Sequence, residues 1–401
     1  MKHKAYILFL LLLLFHAQWC AGDVNKNISF DFYGDTIEFP RNASTQVVFE
    51  DTLSHQAISS FYERMLGTEY QPVIDALLAY KQKHTPDDWV YYQLIRKTAQ
   101  AICPKAENYY RYTLYKSFLL NKSGFEVALD IVGTKLLFFV QSNEDIYDVP
   151  FFKRDGKQYV CLNYHDYGFK IDFEPDKHYY FPASGPGVKY SFSYKLTQLP
   201  EFRQDDYHEK DLEFAYRNVD YRFKVKLNHA VKDIFTNYPV ADYGLYFNVP
   251  LSKETYNTLI PQLKKNVKGL SLKNGVDYLM HFTRYAFPYE PDKQNFGREK
   301  RLSPEQTLLY DRSDCEDRAA LFYCLVKEIY NLPMIVLAFP QHVAIGVNLG
   351  KPFGRQIEYN SAAYSVCEPT PQAGDLPVGA LSANLKSVAY EVAYSYIPSG
   401  Q

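Results

Sequence analysis

Arg312-Ser313-Asp314-Cys315-Glu316-Asp317-Arg318 opens the stretch whose reading decides the fold, because a cysteine, a histidine and a carboxylate follow one another there across residues 310–370. Behind it Ala319, Phe322, Val326 and Ile329 recur at three- and four-residue steps, one apolar stripe of an α-helix. Cys315 lies on that stripe, four residues before Ala319, so its thiol should face inward. Ser313 followed by Glu316 reads as a capping box, which starts the helix at Ser313 and puts Cys315 in its first turn. A helix N-terminus favours a thiolate by about 0.3–1 kcal/mol, less than one pKa unit. Glu316 and Asp317 oppose it. A reactive thiol here therefore needs a nearby imidazole.

His342 is the candidate. Residues 334–339 read as a buried strand, Pro340-Gln341 as a break, and His342-Val343-Ala344-Ile345-Gly346-Val347 as a second strand with period-two alternation. His342, Ala344 and Gly346 share one face, on which small residues would let the Cys315 helix approach; Val343, Ile345 and Val347 fill the other. The next strand, about 361–368, pairs antiparallel to it if the two form a hairpin. The register that sets Leu349 opposite Ser361 makes His342 face Glu368, which would orient the imidazole and stabilise its charged form. A lone buried cysteine or histidine is ordinarily a packing residue, as Cys324 is read here. The conjunction argues for chemistry at Cys315.

These residues resemble the transglutaminase-like superfamily, relatives of papain-type thiol proteases. The likeness rests on Asp314-Cys315-Glu316-Asp317-Arg318, on Gln341-His342-Val343-Ala344 and on Cys367-Glu368-Pro369-Thr370. Phe287-Pro288-Tyr289 and Ser303-Pro304-Glu305 are similar to what precedes the nucleophile in bacterial members, and the likeness spans residues 276–377. It implies a Cys315, His342, Glu368 triad, with Glu where many members carry Asp, working through a thioester. The Cys315 backbone N–H would serve the oxyanion. The resemblance offers the Tyr289 hydroxyl or the Gln306 amide as a second donor.

The 401-residue chain carries a net charge of −2 with no Lys/Arg block, and its 37 tyrosines scatter through strand-like segments, so nothing marks a nucleic-acid partner. It begins Met1-Lys2-His3-Lys4, then an apolar run over residues 5–15, read as a signal peptide of residues 1–22 and too short for a membrane anchor. The mature protein is expected to be exported, in the periplasm, at the cell surface or secreted, with no transmembrane helix. Lipidation at Cys20 is the lesser reading, since Trp19 stands where a lipobox wants a small residue. Cys103, Cys161, Cys315, Cys324 and Cys367 remain, an odd count consistent with a free thiol. No zinc spacing or phosphate loop appears, so neither metal nor cofactor is expected. Asn27, Asn42 and Asn121 begin glycosylation sequons.

Before the catalytic stretch, residues 23–165 read as an α+β domain. Its helix-like run over 110–121 and the segment after it can be laid without a gap from Asn108 on Cys315, with Arg111 on Arg318, Leu136–Val140 on Val343–Val347 and, after shortening a loop, Cys161 on Cys367. Two readings stay open: a degenerate internal repeat whose triad positions are Asn108, Lys135 and about Leu162, or the ordinary match of any amphipathic helix followed by a hairpin. Residues 166–250 alternate apolar and polar and read as an Ig-like antiparallel β-sandwich, a spacer or packing module, with carbohydrate or peptide binding as the alternative. Residues 251–401 complete the chain as a papain/transglutaminase-like domain, a helix packed on an antiparallel sheet; the fold class is α+β. The expected activity is hydrolysis of a peptide or other amide bond in a protein or peptide substrate. Protein cross-linking and a binding role with a vestigial triad are the alternatives.

Overall fold

The computed structural model describes residues 27–50, 52–168, 171, 179–182, 189–297, 300–371 and 374–398. The signal-peptide expectation and Cys20 lie outside them. Among the described residues no helix is long and apolar enough to cross a membrane.

The architecture is α+β, with antiparallel sheets throughout. A hairpin of β1 (Ile28–Phe32) and β2 (Asp35–Phe39) is followed by helices α1 (His55–Leu66), α2 (Gln71–His84), α3 (Asp88–Ile102) and α4 (Tyr109–Lys122). Local chemistry sets their starts: Ser54 accepts a hydrogen bond from Ala57 N and Asn108 accepts one from Arg111 N, satisfying first-turn amides that have no helical partner. α4 packs on a sheet of β3 (Val127–Val132), β4 (Lys135–Gln141), β5 (Phe151–Arg154) and β6 (Lys157–Cys161). Asn121 is buried in α4, so the sequon there is closed to modification.

The described residues of 166–250 do not form the expected sandwich. Among those described, the paired strands are one long hairpin, β7 (Tyr207–Tyr216) with β8 (Val219–Asn228), and residues 243–246 form a helical turn. The alternation is present, with Arg222 and Lys224 exposed and Phe223, Val225 and Leu227 buried. What covers the apolar face is helix and not a second sheet: α5 (Lys253–Val267) packs on β8, and Phe214 and Phe223 meet Phe282 of α6 (Leu272–Tyr285).

The C-terminal part adds α7 (Pro304–Leu309), α8 (Cys315–Tyr330), β9 (Met334–Phe339), β10 (His342–Val347), β11 (Gln356–Tyr359), β12 (Ala362–Cys367) and β13 (Glu391–Tyr396). Its sheet runs β11-β12-β10-β9-β13. Without β13, that is the order of the first sheet, β5-β6-β4-β3. Helix, two-strand hairpin and a second hairpin that returns its last strand to the first therefore occur twice.

The two units differ from the sequence matching at one position. Cys161 packs with Ala128, Leu137 and Phe139, on the sheet face away from the main core, whereas Cys367 lies in the core with Val343, Ile345 and Val347. Leu162 shares the core face and takes the place of Cys367, which puts Asn163 in the place of Glu368.

Candidate active site

α8 begins one residue later than the Ser313 cap predicts. Asp314 is the N-cap, its side chain accepting from Glu316 N and Asp317 N, and Asp317 reaches back to the amide of Asp314. Cys315 is the first helical residue, buried at the helix tip. The rest of the motif is framework. Asp317 also accepts from Leu302 N at 2.7 Å, and the fully buried Arg318 donates to the carbonyls of Thr283, Arg284 and Phe287, closing the C-terminal end of α6 against α8.

The sheet faces are the reverse of expectation. Val343, Ile345 and Val347 share the core with Ala319, Phe322 and Val326 of α8, while Ala344 lies in an outer cluster with Ile335, Tyr364 and Val366. Gly346 is small because its outer neighbours leave no room: a Cβ there would meet Ile335 at 2.6 Å.

His342 and Glu368 come together as predicted, Nε2 to Oε2 at 2.7 Å, by a different route. No direct hairpin joins their strands; β11 intervenes and β12 folds back between β11 and β10. The β10–β12 register pairs Ile345 with Cys367, two residues from the predicted one. A slip of two keeps every side chain on its face, so Glu368 still shares a face with His342. The Glu368 side chain is completely buried, accepts Thr370 N on its other oxygen, and has its backbone carbonyl held by Nε and Nη2 of Arg284. Arg284 is fixed by Asp375, which His281 also contacts at 2.7 Å. Sequence reasoning missed Arg284, His281 and Asp375, whose contacts join positions about 90 residues apart with no local pattern to announce them.

Cys315 reaches the same strand end, since its sulfur meets the backbone N–H of Val343, the residue after His342. It makes no hydrogen bond to the imidazole. The thiol donates instead to Glu316 Oε2 at 3.2 Å. Burial pushes the thiol well above its ordinary pKa, the Glu316 and Asp314 carboxylates add to this, and the Val343 N–H works weakly against it. The Cys315 side chain rests as a protonated thiol.

Of the two oxyanion candidates, Tyr289 stands beside the site. Its ring lies on Arg318 at 5.7 Å, its backbone bridges Ser313, and the nearby Cys315 and Asp314 add to the burial that raises its hydroxyl pKa. Gln306 accepts from Ser303 N through Oε1 in the capping box of α7, while its Nε2, the atom that could donate, is buried without a hydrogen-bond partner among the described residues. The Cys315 N–H, at the first position of α8, takes no hydrogen bond among the described residues and stays available.

Asp292, Asp314 and Asp317 bring carboxylate oxygens within 4.8 Å of one another, a spacing that could hold a cation. Each also serves a backbone amide, Asp292 that of Lys300 at 2.6 Å. Crowding and burial raise Asp314 and Asp317 far above the carboxylate range, so protons can balance the charge there. In the first copy Asn108 caps α4, the Lys135 ammonium lies 5.9 Å from the Tyr167 ring, and Asn163 bonds Tyr109 and the backbone of β4. No thiol and imidazole meet there among the described residues. No protein-family model matches the chain, and no characterised protein or solved structure compared with it matches either.

Proposed function

We propose that the protein is an exported thiol-dependent amide hydrolase of transglutaminase-like type, with Cys315 as nucleophile, His342 as proton carrier and Glu368 as its orienting carboxylate. The observation that carries this reading is the His342–Glu368 pair, closed at 2.7 Å by a fully buried carboxylate, at the strand end the Cys315 thiol reaches. With Nε2–H donated to Glu368, Nδ1 keeps a lone pair to accept a proton.

Because the resting thiol is protonated, His342 acts as general base and not as half of a standing ion pair. For this step the thiol must leave Glu316 and turn toward Nδ1. Sulfur attacks the amide carbon as its proton passes to His342, and the oxyanion forms against the Cys315 N–H with Tyr289 as the second donor. Collapse breaks the C–N bond, His342 delivers the proton to the departing nitrogen, and an amine leaves a thioester behind. Water, deprotonated by His342, then releases a carboxylic acid and restores the thiol.

Cross-linking differs only in the last acceptor, an amine in place of water. Incubating an amide substrate with and without added lysine and weighing the products separates the two. The hydrogen bond from Cys315 to Glu316 favours a second reading, a surface binding protein whose triad is vestigial. In that case no acyl adduct forms on Cys315.

A further inference from the structure

Beside His342 lies a cavity of about 360 Å³, within the ~300–1,000 Å³ range of ligand pockets. His342 forms one wall, and the rest comes from the β9–β10 turn and residues 382–388. Phe339, Pro340, Leu385 and Val388 make it largely apolar; its polar groups, Gln341, Ser382 and Asn384, are neutral, and no Asp, Glu, Lys or Arg side chain lines it. Nothing from α8 contributes. The cavity therefore adjoins the imidazole without including the thiol.

That placement says which half of a substrate it would meet. His342 must reach the departing nitrogen to protonate it, so whatever that nitrogen carries extends past the imidazole, away from the sulfur. We propose that this cavity is the leaving-group subsite and takes an apolar side chain on the residue that follows the scissile amide. The proposal rests on the acyl-transfer reading and deepens it from amides in general to peptide bonds preceding an apolar residue. Leu385 and Val388 are half-buried, so part of their apolar surface is free for a side chain to cover. The Asn384 amide, whose neighbour Ser382 donates to its oxygen at 2.6 Å, leaves its nitrogen for a backbone carbonyl of the leaving segment. A charged side chain would be desolvated there with no partner.

The test uses the mature protein and a peptide library in which every amino acid occurs at each position, with new N-termini identified by mass spectrometry. The expected result is enrichment of Leu, Phe, Ile or Met over Asp and Lys by about tenfold or more at the first residue of the released fragments. In Val388→Asp the apolar preference should fall by about tenfold and Lys or Arg rise; Leu385→Ala should shift it toward larger aromatic residues. Cleavage with no preference at that position, or a preference that neither variant alters, overturns the subsite while leaving the acyl-transfer reading standing. No cleavage of any peptide, together with no acyl adduct on Cys315 from an activated ester, overturns both.

Discussion

His342 Nε2 lies 2.7 Å from Glu368 Oε2, and the carboxylate is sealed from solvent while the imidazole keeps 13% of its side chain exposed. A buried carboxylate holding a partly exposed histidine is the arrangement expected of an orienting group and a working base.

Replacing Glu368 by Gln should cut acylation of Cys315 by about 10²–10⁴-fold, the range spanned by general acid–base catalysis and its orienting partner. Stopped-flow release of nitrophenol from an activated ester measures it. An unchanged rate would show that the imidazole needs no orienting group.

Glu316 restrains the thiol. Removing its charge in Glu316→Gln should move the pH profile of iodoacetamide alkylation at Cys315 to lower pH and raise the rate at pH 7 severalfold, because a carboxylate next to the sulfur and burial together hold the thiol protonated. The same profile in wild type and variant would show that burial alone sets the thiol.

Asp314 makes a pH prediction with a definite sign. Its carboxyl is pushed up to about 8 in the folded protein by burial and by the neighbouring Glu316 and Asp292, against about 3.9 unfolded. A raised acid contributes stability that is full below the unfolded value and lost as pH climbs toward the folded one. Asp314→Asn keeps an N-cap but cannot ionise. The variant should gain on wild type by at least about 1 kcal/mol between pH 5 and 8, read from urea midpoints across that range. A constant difference would mean that Asp314 is ionised throughout.

Arg318→Met should cost about 2–4 kcal/mol, since three backbone carbonyls lose a buried charged donor. Gly346→Val should cost about 1–3 kcal/mol by overpacking Ile335 and Tyr364 on the outer face. Denaturant unfolding reads both; a neutral Gly346→Val would argue that the outer cluster can open.

The sequence carried the site better than the frame around it. Cys315 at a helix tip was legible because the stripe through Ala319 and Phe322 is helical whatever packs on it, and Glu368 was legible because the register was wrong by an even number. β11 escaped because residues 349–361 are rich in Gly, Pro and polar side chains and read as loop. The faces of β10 were exchanged because Ala344 and Gly346 look like room for a helix, when the room is filled by Ile335 and Tyr364. The sandwich failed because alternation shows that a sheet has a dry face but not what dries it; here Phe282 and α5 do. α4 was legible from its own cap and apolar residues, and laying Cys161 on Cys367 failed because Cys161 and Leu162 lie on opposite faces of the sheet.

Mass spectrometry of Cys315 after reaction with an acyl-donating activated ester, in wild type and His342→Ala at equal temperature and pH, bears most directly on the catalytic claim. The expected result is a thioester adduct on the peptide containing Cys315 that forms at least about 10²-fold more slowly without the imidazole. Equal rates in the two proteins, or an adduct on Cys103, Cys161, Cys324 or Cys367 in place of Cys315, would contradict it.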